Sequence, residues 1–407
     1  MPKLNVLFMQ SQEFFGADSM IHSLLMRYLD RNAVYVFVAS NHGHEGARPA
    51  SFEAIRDIPD VHHRSTQFGP SVFEKKSLQS AREIIGGSTG AGLSLAGLVA
   101  YCRRNKIHVI HCTEKPRDAF LGLLVARATG ARCVIHVHVK AENWIRRPVR
   151  WAMGHANALI GVSQFVAESI VNLGYRRDAT YAVHNALDLT RWNNQDDGKV
   201  DNVGWDYRGH GELRSEFGLG QHVPVLACVS RLIPWKGHRE LIKALAIVKR
   251  EVSDFCLMLV GEPTYGGAAY EAELRHLVAE LELGNNVVFT GYRRDVPHIM
   301  ATSDIYAMPS FEEPFGMVYL EAMAMRKPVI ALDNGGAREI IEDNKSGLLS
   351  APQDIEHLAA NIVSLLKNPN LRDQMGRHGR HRVEDYFTPE RMARDVQLVY
   401  EEILEKA

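Results

Sequence analysis

Short apolar runs recur along the chain, and between them lie stretches in which apolar residues return every three or four positions. The runs at 4–9, 34–39, 108–112, 132–138 and 158–162 read as strands. Ile21, Leu24, Leu25, Tyr28 and Leu29 mark one helix by their spacing, and 119–128 is another. A second series opens at 223–230 and continues at 255–260, 287–290, 304–308 and 328–332, with a helix over 238–250. Strands that alternate with helices predict a parallel, doubly wound α/β sheet, here twice over. Between the two series, 193–211 is rich in Asp, Asn and Gly and has little periodicity, which marks a linker. The last helix starts at Thr388-Pro389-Glu390, with Thr388 as cap and Pro389 in the first turn. It carries Met392, Val396, Val399, Tyr400 and Ile403 on one face. The predicted organisation is therefore a domain over 1–192, a linker over 193–222, a second domain over 223–387 and a terminal helix over 388–407.

Length and charge support this division. Single cores stop growing near 250 to 300 residues, so 407 residues imply two domains. The balance of 47 Lys and Arg against 48 Asp and Glu leaves a net charge of −1, which excludes bulk attraction to nucleic acid or to anionic lipid. The five cysteines are scattered without paired spacing, as expected of core residues in a reducing cytosol. There is no signal peptide pattern and no run of 18 apolar residues, so the expected location is cytoplasmic.

The densest chemistry lies in 309–325, Pro-Ser-Phe-Glu-Glu-Pro-Phe-Gly-Met-Val-Tyr-Leu-Glu-Ala-Met-Ala-Met. Pro309 ends a strand, and Pro314 sits where a helix can begin, so a helix is expected from about Phe315. From Met317 to Met325 its only charge is Glu321, which must pair with an internal Arg or Lys or bind a polyhydroxylated ligand. Glu313 lies in the loop at the carboxyl end of the strand, where open α/β sheets bind ligands. The amides of Phe315, Gly316 and Met317 at the helix entrance suit a phosphate. Further back, 231–237 reads Arg-Leu-Ile-Pro-Trp-Lys-Gly; Arg231 and Lys236 at a strand end just before a helix would make a good pyrophosphate clamp, although such a pair taken alone is more often a surface accident.

The seven residues between Glu313 and Glu321, with Pro-Phe-Gly after the first and Ala-Met-Ala after the second, resemble the signature of retaining glycosyltransferases of the GT-B fold, family 4. The resemblance covers nearly the whole chain and is strongest over 223–349. It implies two Rossmann-like domains facing a cleft, with the acceptor seated against the first, the nucleotide sugar bound mainly by the second, and the terminal helix crossing back. It also implies a donor-sugar contact for Glu313, a ribose contact for Glu321 and a diphosphate contact for Arg231 and Lys236. His138, at the end of its strand, occupies the place of a histidine that faces the donor sugar. The turns at Gly261 and at Gly291-Tyr292-Arg293 line the base pocket in relatives. The family's glycine-rich first loop is reduced in this chain to Gly16, and Ala186 stands where Gly is usual.

The expected partners are a nucleoside diphosphate sugar and a carbohydrate or lipid-linked acceptor. No cofactor is expected, and no metal either, because no Asp-x-Asp occurs. His42 and His44 read as a solvated loop, and His136 with His138 as a core or solvated pair before a metal pair. Residues 84–92, rich in Gly, match no nucleotide-binding pattern and read as a flexible connection. The basic and aromatic segment 140–153 reads as a surface or acceptor-cleft wall, with weak peripheral contact at the inner membrane face as the alternative. The rival functions are a sugar-nucleotide epimerase of the same fold and a non-catalytic nucleotide-sugar-binding protein.

Overall fold

The computed structural model describes residues 3–41, 49–69, 81–143, 145–192, 210–264 and 267–406. Two compact units divide the chain, Met1–Ala186 together with Pro389–Ala407, and Leu187–Thr388.

The first unit holds a seven-stranded sheet built from β1 (Leu4–Gln10), β2 (Val34–Ser40), β3 (Val61–Ser65), β4 (Val109–Thr113), β5 (Arg132–Val137), β6 (Ala158–Gly161) and β7 (Thr180–Ala182). Their order is β3-β2-β1-β4-β5-β6-β7, and every pairing is parallel. Order reverses between β1 and β4, which opens a crevice at their carboxyl ends. All five residues of β4 are buried, as a parallel strand covered on both faces requires. The helix Pro389–Glu405 belongs to this unit; it buries Met392, Val396, Val399, Tyr400 and Ile403 and packs on the helix Ala17–Tyr28.

The second unit repeats the plan with six strands, β8 (Val225–Val229), β9 (Cys256–Val260), β10 (Val287–Gly291), β11 (Ile305–Ala307), β12 (Val329–Leu332) and β13 (Gly347–Ser350). Their order is β10-β9-β8-β11-β12-β13, again all parallel, and the reversal falls between β8 and β11.

Two expectations are corrected. Residues 84–92 are part of the helix Ala81–Arg104, which packs on the helix Pro116–Thr129; tertiary contact overrides the low helix propensity of the glycines. The helix after Pro314 begins at Met317 because Gly316, at φ +103°, still turns the chain. Of the segment read as a linker, 193–209 lies outside the described residues, while His210–Glu216 is helical. Arg214 of that helix donates to the carbonyls of Gly220 and Val223, and Glu216 pairs with Arg293. His42 and His44 also lie outside the described residues.

Candidate active site

In the second unit the loops after β8 and β11, neighbouring strands at the reversal, are locked together. After β8 the chain turns through Pro234–Lys236 into the helix His238–Val248, with Gly237 at φ +77° between them. A Cβ on Gly237 would lie 2.0 Å from the carbonyl oxygen of Pro309, so only glycine lets the two loops approach this closely. Phe311 N donates to Trp235 O at 2.7 Å across the same seam.

This approach brings Lys236 Nζ to within 2.6 Å of Glu313 Oε2, and Ser310 Oγ donates to the same oxygen at 2.6 Å. All three side chains are buried. Lys236 Nζ also lies 4.3 Å from the centre of the Trp235 ring, so the ammonium is held between a carboxylate and an aromatic face. The Glu313 backbone is fixed from the turn after β12, where Gly336 N donates to Glu313 O at 2.7 Å and Asn334 Oδ1 accepts from Glu312 N at 3.2 Å. Arg231 sits exposed in the loop after β8, and its side chain has no partner among the described residues.

Gly316 follows, and there a Cβ would lie 2.3 Å from the Tyr319 ring, whose hydroxyl donates to Met308 O at 3.0 Å. The Pro-Phe-Gly sequence is therefore a packing requirement as well as a motif. Gly316 caps the amino end of the helix Met317–Ala324, and the Gly316 and Met317 amides have no acceptor among the described residues. Phe315 is buried against Phe387.

Four residues on from Met317, Glu321 is half-buried and makes no ion pair or side-chain hydrogen bond among the described residues. Among the described residues no internal cation stabilises it, so the pairing that was one of the two readings open from sequence is not seen there. Desolvation by its apolar surroundings alone pushes its carboxyl up to about 7. Gly261 follows β9 and pairs with Gly291 O at 2.9 Å; Tyr292 stands 62% exposed. Arg293 is taken up by Glu216 at 2.5 Å and Asp295 at 2.7 Å, which raise its pKa further and leave it a clamp on the helix His210–Glu216.

The first unit carries the other two predicted residues at the carboxyl edge of its own sheet. Gly16 caps the helix Ala17–Tyr28 after β1. His138 follows β5, and its amide donates to Glu114 Oε2 at 3.2 Å, while Glu114 N donates to His136 O at 3.1 Å. Burial, reinforced by His22, drives the His138 imidazole well below its usual pKa, so the ring is neutral. Burial also pushes Glu114 up to about 7, partly offset by Lys115.

Sequence reasoning missed Ser310, Asn334 and Glu114. Ser310 and Asn334 stood inside recognised turns, but nothing assigned them a partner; Glu114 is a lone acid after a strand and gave no signal. In the segment 140–153, Arg150 holds its own loop through Ile145 O and Asn143 O, and Trp151 packs beneath the Arg127 guanidinium. Trp144 lies outside the described residues. No helix among the described residues is long and apolar enough to cross a membrane.

Two doubly wound parallel sheets of seven and six strands are the GT-B fold, and solved structures agree on it. HepE of Anabaena, solved with UDP, superposes with a TM-score of 0.76 at 23% identity, over 99% of this chain and 100% of that one. Sucrose-phosphate synthase of Thermosynechococcus elongatus gives 0.74 at 19% identity over 100% of both chains. The family model Glycosyl transferases group 1 matches 211–382, and the model Glycosyltransferase Family 4 matches 23–191. A GDP-mannose-dependent alpha-(1-6)-phosphatidylinositol monomannoside mannosyltransferase of Mycolicibacterium smegmatis is 31% identical over 277 residues, 65% of this chain and 68% of that protein. A monoacylated-substrate counterpart from Corynebacterium glutamicum is 37% identical over 180 residues, 42% of this chain and 45% of that protein. The chain belongs to glycosyltransferase family 4, and it is a glycosyltransferase that uses nucleotide-sugar donors.

Proposed function

We propose that the protein transfers a sugar from a nucleoside diphosphate donor to a hydroxyl of a carbohydrate or lipid-linked acceptor, with retention of anomeric configuration and without a catalytic metal ion. The observation that carries this reading is the buried Lys236–Glu313 pair at the strand reversal, tied down by Ser310, with Arg231, unpaired among the described residues, in the same loop after β8 as Lys236. A cation held in place by a carboxylate is preorganised for a diphosphate. When donor binds, Lys236 and Arg231 face the two phosphates, and Glu313, its second oxygen still open, accepts from a sugar hydroxyl. The Gly316 and Met317 amides add the positive end of the helix dipole, and Glu321 accepts from the ribose hydroxyls. The Gly261 turn lines the base pocket through backbone, with Tyr292 beside it. In the first unit, Gly16 leaves room for the phosphates and acceptor, and His138 orients the donor sugar.

The reaction breaks the bond between the anomeric carbon and the phosphate oxygen. The acceptor oxygen bonds to the same face, and its proton passes to the departing phosphate. Preorganised charge is what this chemistry needs, and one such donor is worth about a hundredfold or more in rate. A non-catalytic role or an epimerase would not need an acceptor. The relatives' names make GDP-mannose the first donor to test and a mannosylated phosphatidylinositol the first acceptor, with UDP-glucose as the comparison because a fold neighbour has been solved with it. The test is release of GDP or UDP that depends on acceptor; release equal with and without acceptor contradicts transfer.

Two results are expected. Activity persists in EDTA, because protein cations occupy the place that an Asp-x-Asp metal takes elsewhere; loss of activity restored by magnesium or manganese would overturn this. His138→Ala lowers turnover at least tenfold while changing donor affinity by less than about threefold, since a neutral ring at the sugar acts on the developing positive charge more than on the ground state. Steady-state rates beside calorimetric donor binding separate the two.

A further inference from the structure

At the centre of the first unit the apolar packing is interrupted by imidazoles. His22 comes from the helix Ala17–Tyr28, His111 from β4 and His136 from β5, the strand paired with β4, and all three are fully buried. One ring nitrogen from each lies within 4.8 Å of the others.

We propose that His22, His111 and His136 form a binding site for a zinc-type transition-metal ion. His111 Nε2 and His136 Nδ1 are 3.3 Å apart, the separation expected of two ligands on one tetrahedral ion with bonds of about 2.0 to 2.1 Å. On its other side His111 Nδ1 lies 2.6 Å from Tyr400 Oη, from the terminal helix. With the tyrosine oxygen accepting that N–H, the tautomer leaves Nε2 as a lone pair turned inward, the arrangement that orients metal-bound imidazoles. A hydrogen bond between His111 and His136 would account for their spacing alone. It would leave both nitrogens of His22 and Nε2 of His136 buried with no partner.

The second observation is this orphaned His22 ring. It packs edge-on against His111, with ring centres 4.8 Å apart, and stacks on His136 at 5.8 Å. Its nitrogens have no hydrogen bond among the described residues to hold them, so ring rotation can close the widest gap, 4.8 Å, by the roughly 1.5 Å that metal bonds require. Three neutral imidazoles select zinc, copper or nickel over magnesium or calcium. They bring no negative charge, but Asp18 lies one turn before His22, with Oδ2 buried and unpartnered, and it acts electrostatically on His22. A bound ion would join the first helix, β4 and β5 directly, and the terminal helix through Tyr400. Its role is structural and separate from the diphosphate residues of the second unit, so persistence of activity in EDTA with no need for magnesium neither supports nor opposes it.

The experiment uses the full, tag-free chain, loaded with excess zinc chloride, passed over chelating resin and assayed by atomic emission. Wild type is expected to keep about one zinc per chain and His22→Leu less than about a tenth of that, while His155→Ala, at an exposed helix end, keeps the wild-type content. Zinc should raise the melting temperature of wild type and leave that of His22→Leu unchanged. If His22→Leu fails to fold, His136→Gln replaces it, with the same expected loss. Wild type that retains no zinc overturns the proposal, whatever the variants do, and a water-filled cluster is then the reading. Retention unchanged in folded His22→Leu and His136→Gln overturns it as well.

Discussion

Lys236→Ala is expected to lower turnover by at least about a hundredfold and also to destabilise the fold by roughly 3 kcal/mol or more. The two effects have one origin. Lys236 and Glu313 are both buried and bonded at 2.6 Å, so removing the ammonium leaves Glu313 as a buried carboxylate with only Ser310 donating to it. An uncompensated charge of that kind costs more than the pair ever contributed. Neutralising the partner should therefore restore stability: Lys236→Ala with Glu313→Gln is expected to recover most of the loss in urea denaturation. The same double variant should recover no turnover, because the diphosphate has lost its cation and the sugar its carboxylate. If Lys236→Ala proved as stable as the parent, the buried pair would not exist as described. If the double variant regained activity, neither side chain would serve the leaving group.

The second large effect concerns Glu321. Its carboxyl is raised from an ordinary 4.5 to about 7 by desolvation, and no cation among the described residues offsets this. Between these values the folded protein holds a proton that the unfolded chain has released. The associated stability is therefore complete below pH 4.5 and is lost as pH rises through 7, a difference on the order of 3 kcal/mol before solvent at this half-buried side chain reduces it. Glu321→Gln removes the titration, so its melting temperature should gain on the parent between pH 5 and pH 8. The same substitution should weaken donor binding roughly tenfold to a hundredfold, the worth of hydrogen bonds to a charged acceptor. Parental affinity should rise with pH through about 7 as the carboxylate forms, while that of Glu321→Gln should stay level. Donor binding unchanged in Glu321→Gln would remove the ribose assignment.

Much of the architecture was legible because parallel strands covered on both faces are nearly continuous apolar runs. β1, β2, β4, β5, β8, β9 and β12 fall within a residue or two of the runs that predicted them. β3 was not, since Val-His-His-Arg-Ser is an edge strand paired only to β2 and has one apolar residue. The glycines of 84–92 misled because helix packing, which single-residue propensity does not contain, decides that segment. At the site, motif spacing picked out Glu313 and Lys236 separately and gave each to a different part of the donor. Their bond to one another was not legible, because residues 77 positions apart meet only when β8 and β11 pair at the strand reversal. The histidine cluster was hidden for the same reason: His22, His111 and His136 come together through sheet order and helix docking, and only the weaker His136-Val137-His138 pattern was visible along the chain.

The central claim, retaining transfer from a nucleoside diphosphate sugar, is tested most directly by the anomeric configuration of the product. An inverting enzyme needs a base opposite the leaving group, and double displacement needs a carboxylate nucleophile beside the anomeric carbon. In the proposed site the motif carboxylate at the sugar, Glu313, is bonded to Lys236 and Ser310, which suits it to hold a hydroxyl and not to attack carbon. With an α-linked donor such as GDP-mannose, the product isolated from the turnover assay and examined by one-bond carbon–proton coupling at the anomeric centre should be α-linked. A β-linked product would contradict same-face transfer and, with it, the proposed roles of Lys236, Glu313 and His138.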